Sequence, residues 1–229
     1  MKVLVLNGSP KKDKSDTMHM TRAFVEGMNS VSDNDVEIID VIDKKIEYCV
    51  GCFACKHNGG ECILDDDMKD ILKKYVSSDV VIFSFPLYSY GMPAPLKNLV
   101  DRLMPLSSWR MERDGDGKYG HNTYRDLSKL RYVMICGCGY PNSKHNFEGA
   151  VKQFKLKFPE NSLVITVPES PMFNIPQAAA FVQPRLEALK SAGAQYASSF
   201  VIEEELYKEI CSPMIPEEIY AKFANGEMK

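Results

Sequence analysis

The stretch VLVLNGSPKKDKSDTMHMTRAFVEGMNS, residues 3–30, decides the architecture. It opens on an apolar run, VLVLN (3–7), crosses a short polar turn, and continues with Met20, Phe24 and Met28 spaced by four. The run lacks polar alternation, so it predicts a strand covered on both faces. The spacing of four puts three apolar side chains on one stripe of a helix over 16–30. Strand, turn and helix in that order form the first half of a βαβ unit.

The same alternation recurs along the chain. Strands are predicted at 36–41, 80–86, 132–137 and 162–167, and helices at 66–78, 94–104, 147–157 and 177–192. Asp66 and Asp67 open the helix at 66–78, where acids suit the positive end of the dipole. Five strand–helix repeats predict an α/β fold, a doubly wound five-stranded parallel sheet with right-handed crossovers. One domain is expected over 1–229, with a polar insertion (105–130) before strand four and a C-terminal helical tail (203–229). The DGDG run (114–117) lacks the ligand series of a calcium loop and reads as a hairpin turn within the insertion.

The chain has 229 residues, 45% of them hydrophobic and 26% charged, with a net charge of −3. That is enough for a full hydrophobic core, and the charge favours neither nucleic acid nor an anionic membrane. The first apolar run is too short for a signal peptide and no later run spans a bilayer, so a cytoplasmic location is expected. Thiols stay reduced there, and seven cysteines then point to metal or redox chemistry.

Ligands of open α/β sheets bind beyond the carboxyl ends of the strands. The first such turn is not G-x-G-x-x-G. It approaches the P-loop, with Lys14 and Ser15 correctly spaced from Gly8, but Asp13 replaces the second glycine and FSFP (83–86) offers no acid for magnesium. What remains is Ser9, Ser15 and Thr17 at a helix N-terminus with Lys11 nearby, a setting for one phosphate group. Ser15 or Asp16 also suits the helix cap. The third turn runs Pro86, Leu87, Tyr88, Ser89, Tyr90, Gly91, Met92. Two tyrosines at the open end of a sheet suit a flat aromatic ligand, and Gly91 allows close approach; packing under the insertion is the competing explanation. The stretch YCVGCFACKHNGGEC (48–62) holds Cys49, Cys52, Cys55 and Cys62. Its spacing suits an iron–sulfur cluster, four thiolates suit zinc, and free thiols are the third alternative.

Taken together, GSPKKDKSDT (8–17), the C-x-G-C-x-x-C stretch and PLYSYGMPAPLKNLVDR (86–102) resemble the flavodoxin-like NAD(P)H-dependent FMN reductases, in the branch of the iron–sulfur flavoproteins. The resemblance covers roughly residues 1–200 and implies strand order 2-1-3-4-5. It implies that Ser9, Lys11, Ser15, Asp16 and Thr17 hold the FMN phosphate. Asp16 stands where the family usually has Asn, so only its backbone N–H is expected to contribute. Pro86 to Met92 would line one edge of the flavin ring, and Cys138, Gly139 and Tyr140 would flank the other. Cys49, Cys52, Cys55 and Cys62 would hold a [4Fe–4S] cluster on the carboxyl edge beside the FMN. Trp109, Met111 and Tyr119 of the insertion would cover the flavin or face a second subunit, and a homodimer or homotetramer is implied.

The function implied is FMN-dependent transfer of electrons from NAD(P)H or a redox protein to a quinone or small acceptor. No catalytic acid or base is expected, because the cofactor itself carries the hydride. Two other readings stand beside it: an FMN electron carrier without substrate turnover, and a metal-stabilised interaction protein.

Overall fold

Strand β1 (Lys2–Asn7) lies near the centre of the sheet, buried from Val3 to Asn7 as its uninterrupted apolar run requires. The computed structural model describes residues 1–113, 115, 117–159 and 161–227. In chain order there follow α1 (Asp16–Val31), β2 (Asp35–Asp40), α2 (Ala54–His57), α3 (Met68–Ser77), β3 (Val80–Pro86) and α4 (Ala94–Asp101). The insertion supplies β4 (Ser107–Arg113) and β5 (Tyr119–Thr123). Then come β6 (Arg131–Gly137), α5 (Glu148–Lys157), β7 (Leu163–Val167), α6 (Ala179–Ser199), α7 (Glu204–Cys211) and α8 (Glu217–Ala224).

Five parallel strands pair in the order β2-β1-β3-β6-β7, the doubly wound order expected. Val5 pairs with Ile82, and Ile82 in turn with Val133, so three apolar strands meet at the centre. Alternate side chains feed two cores. Leu4, Leu6, Phe83 and Phe85 face α3, α4 and α5; Val3, Val5, Ile82 and Ile135 face α1 and α6. Among the described residues no helix is long and apolar enough to cross a membrane.

Helix α6 runs to Ser199, past the expected end at 192. Gly193 does not stop it, because it is the point where α6 crosses α1. A Cβ on Gly193 would lie 1.8 Å from the Phe24 carbonyl, and one on Gly27 would lie 1.8 Å from the Lys190 carbonyl. Two glycines bring the backbones into contact. Helix α4 ends at Asp101 rather than 104: Arg102 turns to ψ 3° and a short 3-10 turn over Met104–Leu106 follows. Asp66 and Asp67 lie just ahead of α3 rather than inside it.

The insertion is an antiparallel hairpin, with Glu112 opposite Gly120. Asp114 and Asp116 of the proposed turn lie outside the described residues.

Candidate functional site

Beyond β1 the chain makes a compact loop closed on itself. Ser9 N–H donates to the Asn7 side chain (3.0 Å), and Lys11 N–H to Ser9 Oγ (3.3 Å). Ser15 is the N-cap of α1: its Oγ accepts from Met18 N–H (3.1 Å) and lies 3.3 Å from Thr17 Oγ1. Ser9, Ser15 and Thr17 are buried, and Lys11 is exposed. The loop thus gathers hydroxyls and a helix N-terminus on one side, with a lysine at its rim. Asp16 does not cap the helix. Its carboxylate accepts from the Asn174 side-chain amide and lies 3.9 Å from Lys11 Nζ.

The β3 loop stands next to it. Gly8 N–H donates to the Ser84 carbonyl (2.8 Å), and Thr21 Oγ1 donates to Ser84 Oγ (2.8 Å). Pro86 ends β3, and Leu87 N–H donates to the Gly137 carbonyl (2.8 Å), tying this loop to the next. Residues 88–91 form a tight turn closed by bonds in both directions between Tyr88 and Gly91 (3.1 and 2.9 Å). Ser89 (φ 48°) and Tyr90 (φ 62°) are both left-handed, a strain of about 1–3 kcal/mol each that the surrounding bonds hold in place. Met92 is buried, while Tyr88 and Tyr90 are exposed and do not pack under the insertion. Gly91 has no neighbour nearer than 3.9 Å to an added Cβ, so open space lies above it.

Tyr140, in the β6 loop, meets Tyr90 hydroxyl to hydroxyl at 3.2 Å, with ring planes 12° apart. Gly139 is exposed beside it. Cys138 instead turns its thiol into the core, where burial pushes its pKa up to about 11. Three neighbouring strands therefore bring the loops at 8–17, 86–92 and 137–140 to one edge.

The C-terminal tail supports that edge, a role the sequence did not announce. Tyr220 OH donates to the Gly139 carbonyl (3.1 Å), and Asn142 donates to Glu217 (2.9 Å). The tail is anchored by Glu169, fully buried just beyond β7, whose Oε2 accepts from the Met214 and Ile215 N–H groups. Its Oε1 has no partner, and burial raises its pKa.

The cysteine loop packs beside α4. After β2 the chain runs down the side of α4: Asn98 donates to the Ile46 carbonyl (2.8 Å) and, one turn on, Arg102 donates to the Glu47 carbonyl (2.6 Å). Cys49, Cys52, Cys55 and Cys62 then line one cavity with Arg102, Met104 and Pro105, at the far end of α4. Cys49 also lines a wider cavity with Lys97, Asn98 and Gly149, and an added Cβ on Gly149 would lie 2.9 Å from the Tyr90 carbonyl. The free space in the four-cysteine cavity is ≈ 30 Å³, enough for a water molecule. Cys49 and Cys52 are exposed and Cys55 is buried. Gly51 (φ 66°) and Phe53 (φ 56°) make the reversals that turn the sulfurs inward. Among the described residues, no three His, Cys, Asp or Glu side chains stand close enough to share one metal ion.

Two buried cations frame this cavity. Arg102 donates to both oxygens of Asp66 (2.6 and 3.1 Å) and to Cys62 Sγ (3.5 Å). Lys56 reaches across to the Met104 carbonyl (2.9 Å) and the Ser107 hydroxyl (2.6 Å), while its own carbonyl accepts from Tyr124 OH (2.7 Å). The base of the insertion is thereby fastened to the cysteine loop. Trp109 accordingly packs tilted against Phe53 and His57, at 5.3 and 5.6 Å between ring centres. Asp65, Asp66 and Cys62 lie close in sequence, but the distant partners Arg102 and Lys56 carry no local signal.

Comparison with known proteins agrees with this geometry. The chain is 36% identical over 108 residues to an iron–sulfur flavoprotein of Methanocaldococcus jannaschii, a match covering 46% of this chain and 53% of that one. It thus spans about half the length of the curated iron–sulfur flavoproteins it matches. An FMN-dependent NADH:quinone oxidoreductase of Mesoplasma florum is 28% identical over 149 residues, covering 62% of this chain and 71% of that one. The FMN-dependent NADH-azoreductase of Bacillus anthracis, solved in complex with FMN, shares the fold with a TM-score of 0.63. That match covers 86% of this chain and 99% of the azoreductase at 17% identity. Residues 1–123, more than half of the chain and the part that contains both the hydroxyl loop and the tyrosine turn, match the profile described as NADPH-dependent FMN reductase, and the chain belongs to that family.

Proposed function

We propose that this protein is an FMN-dependent oxidoreductase that passes electrons from NAD(P)H, or from a redox protein, to a quinone or another small acceptor. One observation carries the reading: the hydroxyl-lined N-terminus of α1 and the exposed tyrosine turn lie at the ends of adjacent strands, β1 and β3. That arrangement offers a phosphate site and a flat aromatic site a short distance apart. Ser9, Ser15 and Thr17, with the first N–H groups of α1, would hold the phosphate, and Lys11 would screen its charge. The Asp16 carboxylate is drawn aside by Asn174, leaving its N–H for the ligand. Pro86 to Met92 would present backbone groups to the ring, with Tyr88, Tyr90, Gly139 and Tyr140 limiting access of water and substrate. When bound, FMN supplies hydride and single-electron chemistry, and the chain supplies orientation.

Cys49, Cys52, Cys55 and Cys62 are proposed ligands of a [4Fe–4S] cluster. Four thiols on one cavity with a sulfur-directed arginine suit that donor set. The exposed arm at Cys49 and Cys52 would swing outward to admit the inorganic core. The thiols suit a reducing cytoplasm, and a homodimer or homotetramer is part of the proposal.

The test is anaerobic purification with flavin, iron, sulfide and zinc assays on one sample, followed by NAD(P)H oxidation with a quinone acceptor. Flavin binding with turnover supports the oxidoreductase. Flavin binding without turnover favours an electron carrier, and no binding of added FMN overturns both.

A further inference from the structure

Lys56 is 5% exposed, yet its hydrogen-bond partners are neutral: the Met104 carbonyl, the Ser107 carbonyl and the Ser107 hydroxyl. No carboxylate pairs with it among the described residues. A buried ammonium in such surroundings is costly unless an anion lies within reach. The ionisable groups whose charge it feels are the Cys55 thiol, negative as a thiolate, and Lys157, a second cation. Cys55 precedes it in α2, and Met104, which accepts from Nζ, is itself a wall of the cavity that the four cysteines line. Arg102, on the same wall, is already neutralised by Asp66. Lys56 is therefore the positive charge left over at a cavity whose four sulfurs, as ligands, would each be negative.

We infer that Lys56 is the built-in counter-cation of the cysteine cavity and that its ammonium raises the reduction potential of the iron–sulfur cluster proposed there. The inference rests on the cluster reading above. A tetrathiolate cluster is anionic and gains a further negative charge when one electron enters. A cation fixed behind the wall, on the Met104 carbonyl, stabilises the reduced form more than the oxidised one. The three oxygens around Nζ hold the charge in place.

The experiment uses the full chain reconstituted anaerobically with ferrous iron and sulfide. Dithionite supplies the electron, and electron paramagnetic resonance follows reduction. Lys56→Met removes charge and donors, Lys56→Gln removes the charge but keeps donors, and Lys56→Arg keeps the charge. Iron-loaded Met and Gln variants are expected to shift about tenfold toward the oxidised form, about 59 mV for one electron, with the Arg variant near wild type. Loss of iron from both neutral variants but not from the Arg variant also supports a required counter-charge. A merely structural lock predicts lower thermal stability with an unchanged potential, or loss of iron from all three variants, and either result overturns the inference. If the wild-type chain takes up no iron, the cluster reading fails and the inference fails with it. An unchanged potential in an iron-loaded neutral variant sinks the inference alone.

Discussion

Arg102 and Asp66 meet through two hydrogen bonds, 2.6 and 3.1 Å long, with side chains 2% and 0% exposed. The pair joins the end of α4 to the chain entering α3. Asp66 also accepts from the N–H groups of Glu47 and Met68, so one carboxylate fixes both arms of the cysteine loop. Burial alone would raise its pKa, but these bonds and the guanidinium charge hold it below the usual carboxylate range.

Breaking this pair from one side strands the other charge. Arg102→Leu is expected to cost about 3–5 kcal/mol, roughly 10 °C in melting temperature for a domain of this size. The double variant Arg102→Leu/Asp66→Leu is expected to recover part of that loss. Because the folded pKa of Asp66 is depressed, its contribution is present above the unfolded value of about 3.9 and is lost as pH falls through the folded value. Urea unfolding between pH 2.5 and 6 checks this: wild type and Asp66→Asn are expected to converge on the acid side.

The crossing of α1 and α6 leaves no room for a methyl group. Gly27→Ala and Gly193→Ala each place a Cβ 1.8 Å from a carbonyl oxygen, so the helices must separate. A loss of about 1–3 kcal/mol or more is expected for each. Thermal melts read it, with Gly91→Ala as the contrast for stability, since that position is open.

Asp16 sets a negative charge beside the proposed phosphate site. Asp16→Asn is expected to tighten FMN binding about fivefold, equivalent to roughly 1 kcal/mol. Fluorescence quenching of FMN measures it. Weaker binding in the variant would show that the Asp16–Asn174 bond shapes the loop more than the charge opposes the ligand.

Glu169 gives the opposite pH dependence to Asp66. Burial raises its pKa, and the bonds from Met214 and Ile215 offset this in part. Its stabilising contribution is therefore full below the unfolded value of about 4.3 and declines as pH rises through the folded value. Glu169→Gln is expected to gain stability relative to wild type as pH climbs from 4 to 8. Parallel curves would remove Glu169 as the source of the slope.

The sheet was legible because VLVLN and VVIFSFP are uninterrupted apolar runs, which only strands covered on both faces sustain. The two loops beyond them followed from topology. The packing of the cysteine loop along α4 did not, since the bonds from Asn98 to Ile46 and from Arg102 to Glu47 join residues 52 and 55 positions apart. Lys56 and Met104 are 48 residues apart, and no periodicity relates them. Glu169 carries no local signal in the sequence. Its burial is set by a tail segment more than 40 residues away. Gly193, one residue past the expected helix end at 192, is a point of contact inside α6.

The fastening of Lys56 and Tyr124 across the base of the hairpin bears on how this chain can be cut and recombined. The C-x-x-C-x-x-C stretch is not a portable cassette: grafted into a relative without residues 104–124, it arrives without the seat that orients Cys55. Engineers of this scaffold are best served by treating the cysteine loop and the root of the insertion as a single inheritable unit.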